Sequence, residues 1–255
     1  MSGAVWPVSW LETIDSTNEE AKRRANGGGF SDQWIAAHQQ SAGRGRAGRA
    51  WVSPRGNLYT TALFNWYGSV AEATRVPFAA ALSVCDIVGQ LAPDAAPKLK
   101  WPNDVRCEGA KISGILIETG EAGGAGRWIA AGIGVNVAHA PDVAEQDTVS
   151  IADLRGDLLV DPQVVLEALR VTFAARLAEA IDDFARTRLA WLEQADGLGE
   201  TVRIKCDEAV IEGVFKDMDA DGALLLQLQD GTIRTIRTGD VHLVREVVGD
   251  NAAGD

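Results

Sequence analysis

Arginine and glycine alternate in one stretch of the chain, Gln39–Trp51, which reads QQSAGRGRAGRAW. Gly43, Arg44, Gly45 and Arg46 form its centre, and Gly48 and Arg49 repeat the pattern. Glycine lets backbone approach a ligand with no Cβ in the way. Arginine carries a planar, permanently charged fork that matches phosphate or carboxylate geometry. Alternating the two builds a flexible cationic wrapper for an anion. Alone, such a loop reads equally as a solvated surface loop or an RGG-like RNA contact. Its place directly after a strand pattern, with Gln39 and Gln40 before it and Trp51 closing it, favours a small-anion site.

Three other groups of residues have chemistry to offer. Ser16-Thr17-Asn18 precedes Glu19 at capping-box spacing, so the plain reading is a helix cap. A helix N-terminus also presents free N–H groups and a positive dipole end, to which these side chains add donors and acceptors. Lys100-Trp101-Pro102-Asn103-Asp104 leads into Lys111-Ile112-Ser113-Gly114. Trp101 reads as core. Lys111 is either a solvated strand end or a cation reaching a buried carboxylate or phosphate, across the space that Gly114 leaves open. Asp104 either finishes a turn or helps hold Mg²⁺ through water. Gly132-Ile133-Gly134-Val135-Asn136 lacks a dinucleotide-binding fingerprint around it and reads as close packing on an inner strand, with Asn136 capping the next loop.

These residues need elements to hold them. Val8–Leu11 is a short strand, and a helix starts at about Thr17 and ends near Gly27 to Gly29. Gln33 to His38 is a strand feeding the glycine loop, and Asn57 to Phe64 is another. Ala73 to Leu91 is a long apolar-periodic helix stopped before Pro93. Lys98 to Val105 is strand then turn. Lys111 to Glu118 and Trp128 to Val137 are strands joined by a small-residue hairpin tip, Gly120 to Gly126. His139 to Thr148 is polar, acidic and structureless. Pro162 to Phe184 and Ala185 to Gln194 are helices. From Thr201 to Leu243 short alternating strands are broken by Asp221-Gly222 and Asp230-Gly231, both hairpin signals. Residues 1–197 therefore form one domain and 198–248 a small β-module docked on it, with 249–255 a frayed tail.

The totals restrict the function. With 36 Asp and Glu against 24 Lys and Arg, the formal net charge is −12. That opposes a general nucleic-acid binder and makes the loop's positive charge local. Cys85, Cys107 and Cys206 are widely spaced, which suits reduced thiols better than a disulfide framework or a zinc site. No signal-peptide pattern opens the chain and no run approaches a membrane span, so a cytoplasmic protein is expected.

Together these pieces resemble the biotin protein ligases, also called biotin–[acetyl-CoA-carboxylase] ligases. Ser16-Thr17-Asn18, Gln40 with Gly43-Arg44-Gly45-Arg46, Lys100 to Asp104, Lys111 with Gly114 to Glu118, and Gly132 to Asn136 stand in the family's order. Each motif is modest, but the ordered set is specific. The resemblance implies an α/β catalytic domain, a mixed sheet flanked by helices, followed by a small SH3-like β-barrel. It implies that Ser16, Thr17, Asn18, Gln40, Arg44, Gly45, Arg46, Lys111 and Gly114 bind biotin. Arg44, Arg46, Arg49, Trp51, Lys100, Asn103, Asp104, Lys111 and Asn136 would bind ATP or the adenylate. Arg46 and Lys111 would serve catalysis directly. His139 to Ser150 corresponds in position to a segment that folds over the adenosine. ATP and Mg²⁺ are the implied cofactors, and the biotin carboxyl carrier domain of an acyl-CoA carboxylase the implied acceptor. Some members carry a DNA-binding helix-turn-helix before the catalytic motifs. Here those motifs begin by Ser16, so a ligase without repressor function or nucleic-acid partner is expected.

The implied chemistry joins a carboxylate to the α-phosphate of ATP and then passes the acyl group to a lysine. Its first obstacle is anion meeting anion, which fixed positive charge answers. No Ser-His or Cys-His pair is needed, and none stands out. A lipoate–protein ligase shares this logic and is the nearest rival. An RGG-type nucleic-acid module is the rival from another class, opposed by the net charge. Exposed sheet edges leave a homodimer open.

Overall fold

A computed structural model describes residues 6–122, 126–144, 146–206 and 209–244 of the chain. Its larger sheet has seven strands: β1 (Val8–Leu11), β2 (Gln33–Ala37), β3 (Leu58–Trp66), β4 (Lys98–Lys100), β5 (Asp104–Cys107), β6 (Ala110–Glu121) and β7 (Arg127–Val135). They lie in the order β1-β2-β3-β7-β6-β5-β4. β1 and β2 run parallel through the crossover helix α1 (Thr17–Asn26), and the other neighbours are antiparallel. The sheet is therefore mixed, as expected. Part of the Gly120 to Gly126 tip and the whole 249–255 tail lie outside the described residues.

Strand alternation gives the sheet two unlike faces. Leu58, Ala62 and Phe64 of β3 and Ile129, Ala131 and Ile133 of β7 point into the main core, which α3 (Val76–Leu91) and α5 (Pro162–Asp182) cover. The opposite face carries Leu63, Ala130 and Trp128, which pack with Ala21 and Ala25 of α1 in a smaller cluster. α1 is short, so it covers only part of that face. Beyond it the residues are Gly114, Gly132 and Gly134, too small to fill the space, and the sheet is left as the floor of a depression.

Three local expectations are corrected. The helix expected over 73–91 is two helices, α2 (Val70–Ala73) and α3, because Pro77 has no N–H to donate and sits in the first turn of α3. The Ser16–Glu19 capping box does not form, since Ser16 makes no side-chain cap hydrogen bond. The Thr17 N–H is met instead by Gln40 Oε1 at 2.8 Å, and Glu19 is drawn to Lys22 and Arg44. The segment after His139 has structure: Lys111 N–H bonds the Asp147 carbonyl and Val149 N–H bonds the Lys111 carbonyl, just before the short helix α4 (Ile151–Leu154). No helix among the described residues is long and apolar enough to cross a membrane.

After α6 (Phe184–Glu193) the chain forms a five-stranded antiparallel sheet: β8 (Thr201–Cys206), β9 (Ala209–Met218), β10 (Leu224–Gln227), β11 (Ile233–Ile236) and β12 (Asp240–Leu243). Asp221-Gly222 and Asp230-Gly231 make its turns, as their sequence signals. The module meets the first domain at a tight seam. Trp101 is buried and its Nε1 donates to the Gly222 carbonyl at 3.1 Å. Gly222 has φ +85°, and a Cβ there would lie 2.5 Å from the Phe78 ring on α3. Gly222→Ala thus combines left-handed backbone strain with a steric clash. We expect it to cost about 2–3 kcal/mol, a fall in Tm of roughly 5–10 °C in thermal unfolding. An unchanged Tm would show the seam to be yielding.

Candidate functional site

The depression is a cavity of about 470 Å³. Its floor is the β6–β7 pair, where Gly114 faces Gly134 in register. The Trp51 indole lies against this floor: a Cβ would stand 2.6 Å from it at Gly134 and 3.0 Å from it at Gly114. Both glycines are needed for the ring to lie flat. Trp51 Nε1 is buried with no hydrogen-bond partner among the described residues.

One end of the cavity is polar and tightly organised. Gln40 Oε1 accepts from Thr17 N–H and from Thr17 Oγ1, so Gln40 Nε2 must face Ser53 Oγ, 2.9 Å away. Ser53 Oγ in turn donates to the Trp51 carbonyl at 2.7 Å. On the other side Thr61 Oγ1 lies 2.9 Å from Thr17 Oγ1 and 2.7 Å from Asn18 Oδ1. This chain of fixed amides and hydroxyls runs from the N-terminus of α1 to the backbone of the glycine-arginine loop. Ser16, which makes no cap bond, also lines the cavity.

The other end is cationic. Arg46 Nη1 donates to Asn103 Oδ1 at 3.0 Å, and Asp240 of β12 stands 3.9 Å away. Burial is the strongest influence on Arg46 and lowers its pKa, while Asp240 and Asp104 oppose it. Its charge is therefore partly desolvated and only partly answered. Arg49 pairs with Asp240 at 3.2 Å, which ties the loop to the β-module. Arg44 is held by Glu19 and lies 3.7 Å from Glu118. Within the loop, Arg46 to Gly48 make a tight 3₁₀ turn with Ala47 at φ 52°, and Trp51 N–H bonds the Gly43 carbonyl.

Of the residues singled out from sequence, Ser16, Thr17, Asn18, Gln40, Arg44, Gly45, Arg46, Arg49, Trp51, Asn103, Lys111, Gly114 and Asn136 all line this cavity. Lys100 and Asp104 do not. They line an adjoining cleft of about 560 Å³ against β12, which shares Arg49 and Asn103 with the first. Lys100 pairs with Asp104 and Asp104 with Gly114, so they share the floor's face, but β5 and β4 are the outer strands and carry these two side chains beyond the cavity's edge. Lys111 bridges the two spaces: its Nζ is 2.9 Å from Asp104 Oδ1 and 5.3 Å from the centre of the Trp51 ring. Asn136 is buried and bonds the Lys111 and Val149 carbonyls, so it holds the wall. Among the described residues no group of three or more His, Cys, Asp or Glu could hold a metal.

The roles of several contributors are not apparent in the sequence, although Glu118 closes one of its motifs and Pro141 to Gln146 fall within the segment expected over the adenosine. Glu118, Thr61, Ser53 and Asn57 belong to segments far apart in the chain. Asn57 Oδ1 accepts from the N–H groups of Val137, Ala138 and His139 and so sets the exit of β7. Pro141, Asp142, Val143 and Gln146 close one side of the cavity. The available signal was Glu118 itself, a charge ending the otherwise apolar run GILIE.

The chain matches the model of the Biotin/lipoate A/B protein ligase family over residues 10–136 and that of the Biotin protein ligase C terminal domain over 197–244. It is 39% identical to a biotin–[acetyl-CoA-carboxylase] ligase from Paracoccus denitrificans over 85% of this chain and 92% of that one. A relative of the same name from Mycobacterium tuberculosis is 30% identical over 95% and 91%. In three dimensions it resembles a biotin protein ligase from Aquifex aeolicus solved in complex with biotin and ATP. That structure gives a TM-score of 0.79 at 27% identity, covering 94% of this chain and 99% of that one.

Proposed function

The chain belongs to the biotin/lipoate A/B protein ligase family, and from this membership and the two-ended cavity we infer an ATP-dependent biotin ligase. It activates biotin as biotinyl-5′-AMP and passes the biotinyl group to a lysine, which we assign to a biotin carboxyl carrier domain. Residues 1–197 carry the chemistry and 198–248 form the accessory module.

The observation that carries this reading is the union of two unlike ends in one cavity. Thr17, Asn18, Gln40 and Thr61 form a fixed set of donors and acceptors suited to a cyclic urea. Arg46 and Lys111 supply charge for a carboxylate and a phosphate. A lipoyl dithiolane has no N–H or carbonyl and would cover these polar side chains without adding a hydrogen bond to them, which is costly.

In the first step a biotin carboxylate oxygen attacks the α-phosphorus and pyrophosphate leaves. Arg46 and Lys111 lower the repulsion between the two anions and spread the charge developing on the phosphoryl oxygens. In the second step the acceptor amine attacks the acyl carbon, AMP leaves, and the amine's proton is lost. Neither step needs a nucleophile from this chain. Magnesium would arrive with the triphosphate and neutralise its charge, with Asp104 reaching it through water.

Incubation with biotin, MgATP and a carrier domain should add one biotinyl group to the carrier's lysine, seen by intact-mass spectrometry. No mass gain, or a lipoyl group added in preference from a mixture of both acids, overturns the assignment.

A further inference from the structure

We propose that Glu118 determines ligand selectivity in the cavity by fixing which way round the Asn18 carboxamide sits. The inference rests on the reading of the cavity as a biotin site.

Asn18 is buried at the polar end, and two groups that can only accept hydrogen bonds surround one end of its amide. Nδ2 donates to the Leu116 carbonyl at 3.3 Å and to Glu118 Oε2 at 2.9 Å. Both amide protons are thereby consumed, and the nitrogen is identified by its partners. The oxygen must then face Thr61 and the cavity. Thr61 Oγ1 occupies one side of Oδ1, and Gly132 gives the carboxamide the room it needs, since a Cβ there would stand 2.1 Å from Oδ1. Oδ1 keeps a second lone pair. A ligand seated there must bring an N–H donor, as a cyclic urea does and a dithiolane does not.

Glu118 is itself held. Its other oxygen, Oε1, takes a 2.6 Å ion pair from Lys22 on α1 and lies 3.7 Å from Arg44. Burial raises the Glu118 pKa, but the hydrogen bonds from Lys22 and Asn18 outweigh it, so the carboxyl lies below its ordinary value and is ionised at neutral pH. An ionised carboxylate cannot donate, so it cannot tolerate the flipped amide, which would set Asn18 Oδ1 against it. Glu118 does not need to touch the ligand. It acts through Asn18 and is a positioning residue.

The test is a double-variant cycle of Glu118→Gln, Asn18→Ala and the two combined. In Glu118→Gln the new amide must place its NH₂ against either Lys22 and Arg44 or the Asn18 Nδ2. The second arrangement turns the Asn18 amide and presents N–H where the ligand needs an acceptor. We expect the KM for biotin in pyrophosphate exchange to rise roughly tenfold or more, with kcat and the KM for ATP within about threefold of the parent. Asn18→Ala removes the amide through which Glu118 acts and should itself raise the biotin KM. Adding Glu118→Gln to it should then change the biotin KM by less than about threefold, because no amide is left to turn. A packing role for Glu118 that is independent of Asn18 predicts that the two effects multiply. If Glu118→Gln fails to fold, Glu118→Ala takes its place in the same cycle.

An unchanged biotin KM in folded Glu118→Gln, or effects that multiply in the folded double variant, overturns the proposal. Absence of biotin-dependent exchange in the parent protein overturns the biotin reading instead, so the two failures are distinct.

Discussion

Lys111→Ala should slow biotinyl-adenylate formation by roughly 100- to 1,000-fold, about 3–4 kcal/mol of transition-state stabilisation. Two effects add. The first is loss of a cation at the boundary between the cavity and the adjoining cleft, where phosphate must pass. The second is exposure of its partner: Lys111 Nζ holds Asp104 Oδ1 at 2.9 Å, with both side chains only 13% exposed. Removing the lysine leaves a largely buried carboxylate facing the incoming triphosphate, which repels it and is itself destabilised. Biotin-dependent exchange of labelled pyrophosphate into ATP reads this step alone. The companion Lys111→Ala with Asp104→Asn separates the two effects, since it removes the stranded charge and should recover about one order of magnitude. A rate for Lys111→Ala within threefold of the parent would rule out a charge-stabilising role.

Arg46→Gly should act on retention. The Arg46 guanidinium is half-buried, hydrogen-bonded to the neutral Asn103 oxygen, and 3.9 Å from its carboxylate neighbour Asp240. Burial lowers its pKa, so its charge is held at some cost. A phosphate oxygen beside it would relieve that cost through a charge-assisted bond, stronger than the one to the neutral Asn103 oxygen. Such bonds contribute about 1.5–3 kcal/mol each, so losing one or two should speed escape of biotinyl-AMP by roughly 10- to 1,000-fold. Stopped-flow release of preformed adenylate into buffer without acceptor measures this. The second sign is biotinylation of unrelated lysine-containing proteins added to the mixture. A release half-time equal to the parent's would exclude Arg46 from holding the adenylate.

Much of the framework was legible in the sequence because it rests on local signals. The bounds of β1, the start of α1 at Thr17, and the turns at Gly222 and Gly231 follow from apolar alternation, capping types and left-handed glycines. Local signals also misled where a distant group competed. Ser16 and Glu19 have the spacing of a capping box, yet Gln40 takes the helix N-terminus and Lys22 and Arg44 take Glu19. The helix expected from Ala73 was read through Pro77, whose missing N–H marks a start and not an interior. In the site, residues on one loop or one strand were visible as motifs. The role of Glu118 was not, because its bond to Asn18 spans 100 positions and acquires meaning only when β6 is laid beside α1. Asp240 was invisible for the same reason: nothing within the β-module reveals that it faces Arg46 and Arg49 across the cleft.

The seam at Trp101 and the pairing of Arg49 with Asp240 bear on how this protein can be dissected. A fragment ending after α6 contains every residue that lines the cavity, yet it strips the cover from a buried indole and unmoors the arginine loop at its far support. Measurements of adenylate lifetime on such a fragment would describe a loop with one tether instead of two. For inhibitor screening or for grafting the ligase onto another protein, the β-module is therefore better treated as part of the catalytic unit than as a removable tail.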